Sequence, residues 1–264
     1  MKRIALSLEY AGDAFLGWQT QPNGLAGQDY LERALSIVAD GKLIQTICAG
    51  RTDAGVHASM QLVHFDIELS RPMSAWVRGT NTHLPDSMVV TWAGEVSQDF
   101  HARFSAKARH YRYILLNRST RPALWSKRVG WFHGALDLDA MQQAARSLLG
   151  EHDFSSFRAS SCQAHSPVRT IYKIDICAQG EYFIFDLHGN GFLHHMVRNI
   201  VGALIYVGKG KYSAIWLSQL LAAKNRTLAP PTFSPAGLYF VGVDYDDHWG
   251  LPQGGHLYRA PQIA

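Results

Sequence analysis

Cysteine is scarce in this chain: Cys48, Cys162 and Cys177 are the only three in 264 residues. An odd number with no C-x-x-C pair builds neither a disulfide framework nor a cysteine-based zinc site. It suits a reducing compartment, so a cytoplasmic location is expected. No uninterrupted apolar run reaches the ~18 residues of a membrane span, so no membrane association is expected. The opening MKRIALSLEY is basic then apolar, but Glu9 and Tyr10 interrupt it too early for a secretory leader. Charge is sparse as well, at 17% of residues, and 25 Lys+Arg against 21 Asp+Glu leaves only +4. A total of that size does not by itself mark a nucleic-acid binder.

What the chain does have is apolar mass. Its hydrophobic fraction of 47% supports a packed core, and at this length roughly 75% of the unfolded surface is buried on folding, in one large domain or two smaller ones. The modest net charge conceals an asymmetry. Residues 1–104 carry 8 basic and 11 acidic side chains, 8 − 11 = −3, and residues 105–264 carry 17 and 10, 17 − 10 = +7. Across the junction runs FHARFSAKARHYRY, Phe100 to Tyr113, where Arg103, Lys107, Arg109 and Arg112 interleave with aromatics and histidines and no acid occurs. Cations neutralise phosphates and flat rings stack on unpaired bases, so the segment suits RNA. The same pattern also describes an ordinary edge strand with solvated charges.

Hydrophobic periodicity divides the chain into two α+β halves, 1–104 and 105–264. In the first, strands are expected at Arg3–Tyr10, Thr46–Ala49, Gln61–Glu68 and Met88–Gly94, with helices at Gln28–Asp40 and Ala75–Leu84. In the second, strands are expected at Arg109–Asn117 and Tyr239–Tyr245, a hairpin at Thr170–Ala178 and Tyr182–Asn190, and helices at Leu138–Leu149 and Phe192–Val207. The similar order suggests two pseudo-symmetric subdomains, antiparallel sheets flanked by helices, with an active cleft between them. Gly12–Gly27 reads as a loop with an exposed-looking pair, Phe15 and Trp18. Leu228–Gly237 reads as an extended loop, and the tail from Asp246 as peripheral.

The segment richest in candidate chemistry is Cys48 to Ala58, CAGRTDAGVHA, with an Arg, an Asp and a His among small residues. Gly50, Ala54 and Gly55 leave Asp53 sterically open, and in a regular strand Arg51 and Asp53 would share one face. A polar turn in which Asp53 caps a backbone amide explains the same residues. Histidine is abundant, at 13, and His188, His194 and His195 lie close in sequence. A metallohydrolase is the natural rival, yet adjacent residues on a helix point ~100° apart and no H-E-x-x-H spacing occurs, so no metal is expected. A noncatalytic RNA-binding protein remains a further alternative.

The run Ala49-Gly50-Arg51-Thr52-Asp53-Ala54-Gly55-Val56-His57-Ala58 resembles the active-site motif of the tRNA pseudouridine synthase A (TruA) family. Further similarities follow in order: Leu8-Glu9-Tyr10 with Phe15-Leu16-Gly17-Trp18-Gln19, Phe100-His101-Ala102-Arg103-Phe104, Tyr111-Arg112-Tyr113, His194-His195-Met196-Val197-Arg198-Asn199, and Pro235-Ala236-Gly237-Leu238. Ser59-Met60, where family members more often carry a Gly, departs from the pattern and leaves the Asp motif intact.

The resemblance implies an RNA isomerase that needs no cofactor and no metal. It would detach a uridine's base from ribose, rotate it and rejoin it through C5. By resemblance Asp53 is the catalytic carboxylate, Arg198 its partner, Tyr111 the ring against the target base, Arg51 the residue that helps extrude the uridine, and Leu238, with Phe233, an apolar wall. RNA contacts implied in the same way are Phe100, His101, Ala102, Arg103 and Phe104, the loop Ser161, Cys162, Gln163, Ala164 and His165, and the outlying Arg71, Ser119 and Phe132. The implied substrate is the tRNA anticodon stem-loop, at uridines 38, 39 and 40, and the implied assembly a homodimer.

Overall fold

In the computed structural model, which describes residues 1–251, strands and helices arrange as an α+β fold. Two units are distinguishable: Met1–Ala108 together with the chain from Phe240 onward, and Arg109–Tyr239. Most of the tail expected to be peripheral lies outside the described residues.

The first unit is built on β1 (Lys2–Tyr10), which is followed by α1 (Gly27–Val38), β2 (Ile47–Cys48), β3 (His57–Ile67) and β4 (Met88–Val96). β1 pairs antiparallel with both β3 and β4, so it is a central strand, and Ile4 to Leu8 are all buried. α1 buries Leu31, Ala34 and Leu35 at helical spacing. Its first amides are satisfied from outside the helix: Gly27 N–H donates to Gly17 O and Gln28 N–H to Trp18 O, while the Asp29 carboxylate accepts from Ala26 N–H. The loop between β1 and α1 is thereby stitched down. Phe15 and Trp18 are core residues, only 6% and 1% exposed, and not the exposed pair that the polar punctuation around them suggested. Trp18 stacks on Tyr10 at 5.4 Å and 26°.

The helix expected over Ala75–Leu84 is shorter and contains a π-helical stretch, Ala75–Gly79, whose Trp76 is buried against Phe65. Asn81 ends it by clamping Val90, its side chain donating to Val90 O and accepting from Val90 N–H. That clamp fixes β4 beside it.

The second unit comprises β5 (Ala108–Asn117), β6 (Gly130–Phe132), α2 (Leu138–Ala145), β7 (Gly150–Asp153), β8 (Val168–Gln179), β9 (Tyr182–Gly189), α3 (Met196–Gly208) and α4 (Ala214–Ala223). The strand order is β5-β9-β8-β7, all antiparallel, and β8–β9 is the expected hairpin. β6 departs from the antiparallel expectation by running parallel to β5. α2 is capped by Asp137, whose carboxylate accepts from Ala140 N–H at 3.0 Å, a contact worth about 1 kcal/mol. The helix gives way to a 3₁₀ turn at Arg146 and so ends short of Leu149.

α3 begins at Met196, four residues later than the apolar pattern suggested, because His195 sits in the left-handed region at φ +64 and cannot continue a right-handed helix backwards. It is buried almost all round. Only Arg198 and Tyr206 of its residues are not buried. The closing strand β10 (Leu238–Asp244) lies beside β3, giving the first unit the order β4-β1-β3-β10 with β2 alongside β3.

Candidate active site

The Asp53 segment is a loop. β2 ends at Cys48 and β3 starts at His57, so strand alternation does not govern residues 49–56 and supplies no reason for Arg51 and Asp53 to share a face. The loop is shaped by a turn in which Val56 N–H donates to Asp53 O at 3.1 Å, with Gly55 at φ +79, a conformation that suits glycine. The backbone of Gly12 approaches so closely that a Cβ there would lie 1.9 Å from Val56 O. A side chain at position 12 would push the turn away.

Around that turn the anchoring groups are neutral and buried. Thr52 shares a 2.8 Å hydrogen bond with the Tyr10 hydroxyl, and its carbonyl accepts from Trp18 N–H at 3.0 Å. Gln61, fully buried, donates from Nε2 to Gly50 O at 2.6 Å. His57 accepts Gly12 N–H on Nδ1, and Ala49 N–H donates to Leu62 O. Burial pushes the Tyr10 hydroxyl above its ordinary range, so it remains protonated as a donor. Burial also pushes the Cys48 thiol up to about 11, against the nearby Arg51 charge, and an inert thiol results. Within this frame Arg51 and Ala54 are exposed, Thr52 is buried and Asp53 is half-buried. Tyr10, Thr52 and Gln61 escaped the sequence reading as a set. Their links span 42 and 51 residues, and only the place of Tyr10 and Gln61 in apolar strands hinted at them.

The Phe100–Phe104 turn separates into supports and surface. Phe100 and Ala102 are fully buried; Phe100 packs against Tyr245 and Trp249, and Ala102 O accepts from the Tyr245 hydroxyl. These two present no surface to a ligand. His101 accepts the amides of Arg103 and Phe104 on Nδ1 and stacks on the Phe104 ring at 4.3 Å. Phe104 is 76% exposed, an unusual state for so large a ring, with the Arg103 guanidinium 5.6 Å from its centroid. Beneath the turn, His64 accepts Ala102 N–H on Nδ1. Burial, then the Arg3 and His101 charges, hold His64 down to about 4, so it stays neutral. Arg71 lies elsewhere, ion-paired with the exposed Asp40.

In the second unit, Tyr111 on β5 is half-buried and meets the edge of Phe192 at 5.1 Å. Arg198 occupies the first turn of α3. Its Nε donates to Phe233 O at 2.9 Å while Phe233 N–H returns to Arg198 O, so the loop before β10 is fastened to the helix start. Leu238 is buried and Phe233 half-buried. The loop Ser161–His165 is held by Arg158, which donates to Cys162 O and Ala164 O at 2.7 Å, and by Ser161 Oγ against His194 Nδ1 at 3.1 Å. Burial raises the Cys162 thiol, but the amides of Ala164 and His194 and the Arg158 guanidinium outweigh it, and the thiol sits below its ordinary range. Ser119 is exposed and Phe132 half-buried on β6.

Among the described residues no helix is long and apolar enough to cross a membrane. The sequence pattern of the family described as tRNA pseudouridine synthase matches residues 7–105 and 144–246. The chain is 57% identical over 250 residues to tRNA pseudouridine synthase A of Dechloromonas aromatica (strain RCB) and 58% identical over 250 residues to that of Chromobacterium violaceum, with 95% of each chain covered in both cases. It is 53% identical over 267 residues to tRNA pseudouridine synthase A of Bordetella avium (strain 197N), covering 100% of both. Among solved structures, a chain of a Cbf5-Nop10-Gar1 complex is similar at TM-score 0.41 and 11% identity, over 90% of this chain and 48% of that one; so distant a likeness supports no assignment of residues. On the extent of the matched pattern and the identity to full-length relatives, the chain belongs to the tRNA pseudouridine synthase family.

Proposed function

We propose that this protein isomerises uridines 38, 39 and 40 of the tRNA anticodon stem-loop to pseudouridine, with Asp53 as the catalytic carboxylate. The net change breaks the bond between N1 and C1′, forms one between C5 and C1′, releases the proton from C5 and places one on N1. A carboxylate suits this chemistry because it can add covalently and leave again. The observation that carries the reading is the Asp53 loop. Its ten-residue motif falls within the matched block 7–105, and a buried network of neutral groups fixes its backbone around a half-buried carboxylate.

The other roles follow the same reading. Arg198, by the family resemblance, is the cationic partner of that carboxylate during the reaction. Tyr111 stacks on the uracil and takes part in proton removal from C5, for which its hydroxyl is suited. Arg51, exposed on the loop, offsets part of the few kcal/mol that extruding a base costs. Leu238 and Phe233 exclude water from the base. Arg198 and Leu238 fall in the second matched block, 144–246, whereas Tyr111, Ser119 and Phe132 lie between the blocks and rest on their motifs alone. Of the Phe100–Phe104 turn, Arg103 and Phe104 meet the RNA while Phe100 and Ala102 support them; the Ser161–His165 loop, Ser119, Phe132 and Arg71 add weaker contacts. The enzyme works as a cytoplasmic homodimer without cofactor or metal.

Mapping pseudouridine in unmodified tRNA after incubation tests the reading. Wild-type protein should modify the anticodon stem-loop at positions 38–40. Asp53→Asn should bind the same tRNA but slow release of the C5 hydrogen by about a thousandfold or more. Turnover by Asp53→Asn within tenfold of wild type would overturn the assignment of the carboxylate, and tRNA binding without any isomerisation by wild type would leave a noncatalytic RNA-binding protein.

A further inference from the structure

Far along α3 from Arg198 lies a group of side chains that the proposed chemistry does not use. Tyr206 is the second of the two α3 residues that are not buried. The sequence then runs Gly208-Lys209-Gly210-Lys211-Tyr212-Ser213 into α4, with no acid from Leu204 to Trp216. Three rings form a ladder: Tyr206 and Tyr212 are stacked at 6.1 Å and 22°, Tyr212 and Trp216 at 4.0 Å and 14°. The Lys209 ammonium sits 3.6 Å from the Tyr206 centroid, and that of Lys211 lies 5.0 Å from Tyr206 and 5.6 Å from Tyr212. Both lysines are exposed, and among the described residues neither has a carboxylate partner.

A structural role for the rings explains the stacking and leaves the cations unexplained. Two ammoniums on one short turn repel each other, and a fold that wanted only an α3–α4 corner would gain from an acid there. Instead each ammonium is held within about 5 Å of the Tyr206 ring, with donor protons still able to reach an anion. Lysines so positioned lose little freedom when an anion binds, which favours a ligand with repeated negative charges. Lysine ammoniums are compact point charges, and as such they suit the repeated charges of a phosphate backbone.

We infer that Lys209 and Lys211, positioned by Tyr206 and Tyr212, form a second phosphate-backbone contact for the RNA substrate. The inference rests on the substrate being tRNA. Arg198 and Lys209 are eleven residues apart on or at the end of α3, about 16 Å along its axis. RNA engaged at Arg198 therefore meets the patch with a separate stretch of backbone. The contact is independent of sequence and acts on affinity, not on the chemical step.

The test is the salt dependence of tRNA binding by wild type and by Lys209→Gln/Lys211→Gln, with pseudouridine formation followed in parallel. Removing two phosphate contacts should lower the slope of log K against log salt by about 1.4 to 1.8. Affinity near physiological salt should fall about three- to tenfold, with kcat at saturating tRNA unchanged. Tyr206→Phe, which keeps the ring, should bind like wild type, and Tyr206→Leu should lose part of the affinity. An unchanged slope in a folded double variant overturns the inference, as does a fall in kcat without a change in affinity. Equal binding of the patch to anionic lipid vesicles would overturn its assignment to RNA. If wild type forms no pseudouridine yet the slope falls as stated, the contact stands and the enzymatic reading fails; if wild type is active and the slope is unchanged, the reverse holds.

Discussion

Asp53 and Arg198 are held by opposite means. Asp53 belongs to a loop without regular structure, located by a handful of hydrogen bonds from Tyr10, Thr52, Gln61, Gly12 and Trp18. Arg198 belongs to a helix that is buried almost all round, located chiefly by apolar packing, with an exchange to the Phe233 backbone among its polar contacts. Hydrogen bonds are directional and few, so the loop is precise and vulnerable to small polar changes; packing is diffuse, so the helix tolerates polar change at its exposed end and suffers from lost volume in its core. The loop mutants should therefore alter catalysis at modest cost in stability, and the helix-core mutants should do the reverse.

The largest effect on stability is expected from the helix. Ile200 is fully buried in α3, and Ile200→Ala should cost about 3 kcal/mol through lost transfer energy and a residual cavity. Chemical denaturation reads the loss directly, and the fraction that remains folded should turn over tRNA at the wild-type rate. A variant that stays stable but loses kcat would contradict the division of labour. Tyr111→Phe probes the same unit from the other side. The ring and its edge contact with Phe192 persist, so folding and binding should hold while the rate falls about a hundredfold, the usual scale for a lost proton-transfer group. Full activity would remove the hydroxyl from the mechanism.

For the loop, Thr52→Val keeps the shape of the side chain and deletes the partner of a buried phenol. The Tyr10 hydroxyl would retain only the 3.5 Å approach of Gln61, and the variant should lose about 2 kcal/mol. Turnover at saturating tRNA should fall as well, because the Thr52 carbonyl and the Asp53 backbone shift together when the side chain is released. Equal stability losses in Thr52→Val and Tyr10→Phe, non-additive in the double variant, would confirm that one bond is being measured.

How much of this was visible in the sequence follows the same divide. The strands β1, β5, β8 and β9 announced themselves by alternation or by a continuous apolar run, and each lies within two residues of its expected limits. The Asp53 segment stood out through its resemblance to the family motif; taken by itself it reads equally as a polar turn. α4 was not seen: AIWLSQLLAA is hydrophobic on nearly every side, so no periodic stripe separates a helix from a buried strand. Phe15 and Trp18 were misplaced because glycines and asparagine nearby mimic an exposed loop, although that loop folds back under β1 and its rings complete the core. The bonds from Tyr10 to Thr52 and from Gln61 to Gly50 join residues far apart in the chain, and nothing local encodes them.

The smallest effect is expected beneath the Phe100–Phe104 turn, where a charge-sensitive residue lies under the surface. His64 has its pKa lowered from 6.5 to about 4 in the folded protein, by burial and then by Arg3 and His101, with Asp66 opposing. The unfolded chain therefore binds more protons than the folded one between those values, and stability contributed by neutral His64 is complete above about 6.5 and is lost as pH falls toward 4. Protonation also converts Nδ1 from acceptor to donor, so the bond from Ala102 N–H is broken and the turn that presents Phe104 is loosened. The free energy of unfolding, read from denaturation curves, should drop over this interval by about 1 to 2 kcal/mol once solvent screening is included. His64→Gln, whose side-chain oxygen can accept from Ala102 without titrating, should flatten that part of the profile while leaving the Asp53 loop and turnover near neutral pH intact. A pH profile unchanged in His64→Gln would place the acid sensitivity elsewhere, with the Arg3–Asp66 pair the next group to test, although Asp66 is held below its ordinary value by Arg3 and loses its contribution only at lower pH.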